Sequence, residues 1–218
     1  AHFQGQLRLD ENGLNYTGDD SAVDAAIERL RHPVDERPIC VFLGLQFPHV
    51  PYGVEDPWYS RIDRSKLPPR IRFSETKGKS KMLQLIHENL GMEGFTEPEW
   101  DELRAVYLGM CAKVDAQFER LCNALKETNQ YDESAIFFLS DHGDFAGDYD
   151  LVEKAQSSFE DCLTRVPLLI KPPKNASVDP GISDSLAELV DFYAAYLAER
   201  PELGYDVHTW DLPEPPAS

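Results

Sequence analysis

Three short apolar runs constrain this chain most: ICVFLGLQF at residues 39–47, AIFFLS at 135–140 and VPLLIK at 166–171. Each is nearly continuous and of strand length, which suits parallel strands covered on both faces better than a half-exposed alternating sheet. Helical spacing lies between and around them. Val23, Ala26, Ile27 and Leu30 mark one helix, with Asp19 or Asp20 as its cap. Leu103, Val106, Met110, Val114, Phe118, Leu121 and Leu125 mark one face of a long helix from Glu99 to Thr128. A further helix is predicted over 184–199. Strands alternating with helices imply a layered α/β fold, a mostly parallel sheet flanked by helices. At 218 residues, with no linker or internal repeat, the expectation is a single domain over 1–218.

The remaining segments read as connections. Residues 1–18 look like a polar lead-in, 52–80 like a long proline-rich surface excursion, and DLPEPPAS like a tail. The net charge of −18 repels nucleic acid and anionic membranes, so neither is an expected partner. No apolar run is long enough to span a bilayer. The four cysteines form no CxxC pair and fall mostly in apolar runs, as buried free thiols do.

In parallel α/β sheets, functional groups collect beyond the carboxyl ends of strands. Two conspicuous loops are expected there, PHVP after the first run and SDHGDFAGDYDLVEK after the second. Asp141 offers a hard anionic oxygen and His142 an imidazole nitrogen, which together make part of a divalent metal site. Two ligands are too few for a competent site, so further carboxylates are required. Lys154 and His49 suit the oxygens of a tetrahedral anion. Taken alone, each residue has a blander reading: a bare Asp-His pair more often caps a loop, a single lysine is usually solvated, and a histidine between prolines can simply fix a turn. Asp144, Asp148 and Asp150 read as solvent-facing loop carboxylates, with support of the metal ligands or attraction of a cation as the alternative their density offers.

Taken in order, the motifs are more specific. FFLSDHGDFAGDYDLVEK followed by FEDCLTRVPLLIKPP, with FLGLQFPHVPYGVEDPWY upstream and YLGMCAKVDAQFERLCNALKE between, resembles the formylglycine-dependent sulfatases of the alkaline phosphatase superfamily. The likeness runs from about Asp20 to Tyr193. It implies an alkaline phosphatase-like fold, present in part, and hydrolysis of a small-molecule or carbohydrate sulfate ester. It implies that Asp141 and His142 are metal ligands, that Lys154 contacts the sulfate, and that His49 contacts the sulfate or leaving-group oxygen. Calcium is the metal it implies, with manganese the alternative, because histidine after the aspartate also occurs in phosphonate monoesterases.

One departure bears on activity. The family's nucleophile lies in a C/S-x-P/A-x-R sequence, and two acidic metal ligands lie near the family's N-terminus; neither feature occurs here. Cys40, Cys111, Cys122 and Cys162 are followed by VFLG, AKVD, NALK and LTRV. The expectation is a fragment of a larger sulfatase catalytic domain, inactive by itself, for which association between copies is one way to complete the sheet. A phosphonate monoester or phosphodiester hydrolase is the alternative enzyme. An anion-binding or interaction module without catalysis is the alternative outside the enzymes.

Overall fold

The computed structural model describes residues 2–13, 15–92, 94–155, 158–176, 178 and 180–191, which divide between two compact units, Ala1–Ala176 and Ser177–Ser218. In the first unit the order is β1 (Phe3–Gln6), α1 (Gly18–Arg31), β2 (Tyr52–Val54), α2 (Trp58–Arg61), α3 (Lys81–Leu90), α4 (Glu97–Glu127), β3 (Ile136–Leu139), α5 (Asp161–Thr164) and β4 (Leu168–Lys171). In the second, half of the helix expected over 184–199 lies outside the described residues; of the rest, 184–188 are not helical and 189–191 are.

The two principal helices form where the spacing puts them. α1 buries Val23, Ala26, Ile27 and Leu30, and α4 buries Trp100, Leu103, Val106, Met110 and Val114. The cap of α1 is Thr17 rather than either aspartate. Thr17 and Asp20 form a reciprocal box, with the Asp20 amide donating to Thr17 Oγ1 at 3.3 Å and the Thr17 amide to Asp20 Oδ2 at 2.9 Å. That leaves Asp19, buried in the first turn, free for another task.

The α/β class stands, but the strands differ from the expectation of one mostly parallel sheet. Among the described residues there are two strand pairs: β1 with β2, parallel, and β3 with β4, antiparallel. Residues 39–47 form no strand, and Phe42 is 88% exposed. A buried parallel strand needs ladder partners along its edges, and no described strand pairs with this run. β4 returns antiparallel to β3 because the residues between them build a loop and the single turn α5, not the crossover helix that a parallel return requires.

The supposed lead-in and excursion also contain packed structure. β1 and β2 are too short for their pattern to stand out, yet Tyr52 and Val54 are fully buried and form the main core with Trp100, Leu103, Val106 and Met110. Each such side chain contributes about 1.5–3 kcal/mol by leaving water. A second cluster, Leu83, Phe145, Tyr149, Leu151 and Leu163, lies under the loop that follows β3.

Polar contacts then fasten residues 70–73 to 147–150. Arg70, its side chain 6% exposed, ion-pairs with Glu97 and Asp150 and lies over the Trp100 ring. The Ile71 amide donates to Asp148 Oδ1 at 2.8 Å, and the Tyr149 amide to the Ile71 carbonyl at 2.6 Å. Asp148 and Asp150 are therefore half-buried rather than the solvent-facing carboxylates expected of this loop. They supply acceptors that backbone donors of the neighbouring segment need.

Candidate active site

His49 sits between two prolines in the turn entering β2, and the turn is fixed from behind. The Asp19 carboxylate, released from capping, accepts from the amides of Gln46 at 3.0 Å and Phe47 at 2.9 Å. Lys113, buried on α4, reaches Glu55 at 2.9 Å, Asp20 at 3.1 Å and the Asn15 carbonyl at 3.2 Å, with its ammonium over the Phe47 ring. A buried ammonium requires such compensation, since an unpaired charge in the interior is costly.

The loop after β3 is shaped by backbone contacts before any side chain is considered. The Gly143 amide donates to the Leu163 carbonyl at 2.7 Å and the Asp144 amide to the Cys162 carbonyl at 3.1 Å. Position 143 admits only glycine, because a Cβ there would stand 1.9 Å from the Cys162 carbonyl oxygen. Ala146, Tyr149, Asp150 and Glu153 all have φ between 42° and 63°, the left-handed region that side chains disfavour. Such concentrated strain persists only where the surroundings hold it in place.

The fold brings the four residues singled out by the sequence into one chain of contacts. Lys154 Nζ lies 2.8 Å from His49 Nε2, the His49 and His142 rings are 6.5 Å apart in an edge arrangement, and His142 Nε2 lies 3.6 Å from Asp141 Oδ2. The tautomers follow from the partners. His49 Nδ1 faces the Val50 carbonyl at 2.9 Å, which only accepts, so Nδ1 carries the proton and Nε2 accepts from the Lys154 ammonium. His142 Nδ1 faces the Gly143 carbonyl at 2.8 Å, so its Nε2 also presents a lone pair.

That arrangement suits a cation in part. A lone pair on His142 Nε2 beside the Asp141 carboxylate is unfavourable until a positive charge joins them, and a histidine whose other nitrogen donates to a backbone carbonyl is oriented as metal-binding histidines are. Among the described residues, however, no group of three or more His, Cys, Asp or Glu side chains could hold a metal ion. Asp141 and His142 are two donors side by side, and Asp141 is 79% exposed.

Two further residues take places in the site that the sequence did not announce. Glu153 places its carboxylate 3.4 Å from Lys154 Nζ and 3.7 Å from both His49 Nε2 and His2 Nδ1, a counter-charge shared by the cationic side. Asp144, read from the sequence as a solvent-facing loop carboxylate, is largely buried instead. Burial pushes its pKa up, while hydrogen bonds from the fully buried Tyr52 hydroxyl and the backbone pull it back. Acidic residues crowd this loop, so only the neighbouring strand tells which of them turn inward. Burial pushes the Cys111 thiol up to about 11 and Cys162 to about 12, away from the reactive thiolate, and Cys40, expected inside, is exposed.

Comparison with known proteins extends the picture beyond this chain. A family model described as Sulfatase matches residues 3–198. Arylsulfatase K of Danio rerio is 30% identical over 202 residues, 83% of this chain and 37% of that protein. The multifunctional alkaline phosphatase superfamily protein PehA of Trinickia caryophylli is 28% identical over 170 residues, 70% of this chain and 33% of its own. Among solved structures, the phosphonate monoester hydrolase of Agrobacterium radiobacter superposes with a TM-score of 0.60 at 26% identity, over 72% of this chain and 33% of that one. The chain thus spans about a third of the length of the curated relatives it matches.

Proposed function

Because this chain belongs to the sulfatase family, we propose that the whole protein hydrolyses a sulfate ester, small or on a carbohydrate, with His49 and Lys154 handling the anion and its leaving group. The observation that carries this reading is the 2.8 Å contact from Lys154 Nζ to a His49 Nε2 that bears a lone pair. The pair holds an ammonium beside a polar ring without a second positive charge, so the ammonium remains available to a sulfate oxygen. As the attacking group forms its bond to sulfur, the S–O bond to the leaving group breaks and its electron pair stays on the leaving oxygen. A proton passes to that oxygen from Lys154, which His49 orients.

Asp141 and His142 would hold a divalent cation, calcium on the sulfatase reading and manganese on the phosphonate one, together with donors beyond these two. When bound, that ion would neutralise charge on the substrate oxygens. The attacking group the family uses has no counterpart among these 218 residues, so the roles assigned to His49 and Lys154 concern positioning and proton transfer alone.

The test is turnover of an aryl sulfate, an aryl phosphonate monoester and an aryl phosphodiester by the full-length protein with calcium or manganese. Preference for the sulfate supports the proposal, and preference for the phosphonate with manganese replaces it. The second outcome has support of its own in the likeness to a phosphonate monoester hydrolase. A full reading frame without C/S-x-P/A-x-R would instead favour a non-catalytic anion-binding module. The 218-residue chain itself is expected to turn over none of the three substrates.

A further inference from the structure

Apart from the groups already assigned, one polar atom near the site bonds to two separate points of the loop, the hydroxyl of Tyr52. It lies in β2, three residues beyond His49, and its side chain is fully buried with the ring edge-on to Tyr107 at 5.8 Å. The hydroxyl donates to Asp144 Oδ1 at 2.7 Å and accepts from the Glu153 amide at 2.7 Å. Asp144 Oδ1 also accepts from the Ala146 amide at 2.7 Å. One phenol oxygen is thereby bonded to the segment two residues past His142 and to the residue immediately before Lys154, and it belongs to the strand that His49 enters.

We propose that Tyr52 is a positioning residue for the site: its hydroxyl joins the His49 strand to the loop carrying His142 and Lys154, and so sets the distance between Lys154 and His49. Glu153 has φ of 63°, in the left-handed region, and its amide points at the Tyr52 oxygen. Without the hydroxyl, that amide is left without its acceptor and the strained backbone before Lys154 loses its hold on β2. The phenol is suited to the task because burial, and then the neighbouring Asp144, push its pKa upward, so it stays a donor throughout the working range. Tyr52 has no place in the chemistry itself, and the inference about rate rests on the proposed hydrolase activity.

The test is Tyr52→Phe in the full-length protein, a change that keeps the ring and removes only the oxygen. With the substrate the wild type turns over, kcat is expected to fall about 100-fold, the scale of a small misplacement of catalytic groups, with KM little changed. In a Lys154→Ala background the same change is expected to cost no further rate, while the melting temperature falls equally in both backgrounds, since two residues acting through one contact are not additive. Equal rate losses in both backgrounds, or none in the wild-type background, would overturn the inference. If the wild type turns over no sulfate, phosphonate or phosphodiester, the functional reading fails and a second measurement still decides. The ¹⁵N shift of His49 Nε2 should be of acceptor type in the wild type and move toward a tautomer mixture in Tyr52→Phe. An unchanged shift would sink the proposal.

Discussion

The two halves of the candidate site are built differently. His49 and Lys154 rest on buried supports from three directions: Asp19 under the turn, Lys113 with its two carboxylates behind it, and Tyr52 beneath the loop. Asp141 and His142 have a backbone held as firmly, through Gly143 against the Leu163 carbonyl, yet no third metal-binding group joins their side chains among the described residues. Handling an anion needs one cation correctly placed, and on the proposed reading Lys154 is that cation. Holding a divalent ion needs several donors, and on the same reading Asp141 and His142 are two of them.

The largest expected effect separates the halves by substitution. In the full-length protein, Lys154→Ala should lower kcat by about 10²–10⁴-fold and leave divalent affinity intact, whereas Asp141→Ala should abolish calcium or manganese binding by calorimetric titration. If Lys154→Ala also abolished ion binding, the division into halves would be wrong. Next, Lys113→Met leaves the carboxylates of Asp20 and Glu55 facing each other without their cation. A loss of about 3–5 kcal/mol is expected in urea unfolding, with the His49 resonances shifted and those of His142 unchanged.

Acid should act on the same support with smaller effect. Burial opposes the charge on Asp20, but hydrogen bonds from Thr17, Gln117 and Lys113 outweigh it and hold its pKa below the usual carboxylate value. A group with a lowered folded-state pKa stabilises the protein above its unfolded value, near 4, and that contribution disappears as pH falls through the lowered one. The melting temperature should therefore decline below about pH 4, and less steeply in Asp20→Asn. The smallest effect concerns the loop behind His142. At neutral pH iodoacetamide should label the exposed Cys40 first and leave Cys111 and Cys162 protected. Rapid labelling of Cys162 would show that the loop is looser than its backbone contacts imply.

The sequence announced the helices and the four site residues for different physical reasons. α1 and α4 carry apolar side chains at helical spacing over many turns, so their pattern survives any tertiary context. Asp141, His142, Lys154 and His49 stood out through an ordered series of motifs. β1 and β2 escaped because three or four residues cannot display a period, and 39–47 misled because apolar content does not supply a ladder partner. Tyr52, Asp144 and Lys113 escaped for a third reason: their importance lies in contacts with residues 58 to 101 positions away, which no local pattern encodes.

The clasp of Arg70 between Glu97 and Asp150 has a consequence for how the chain meets a protease. Long connecting segments are ordinarily where cleavage begins, and residues 61–81 offer trypsin eight basic targets. Arg70 is withdrawn from that set, since its side chain must leave two carboxylates and the Trp100 face before it can enter a specificity pocket. Cleavage after Arg70 thus reports the opening of the loop that carries Lys154, whereas cleavage after exposed basic residues of the same segment does not.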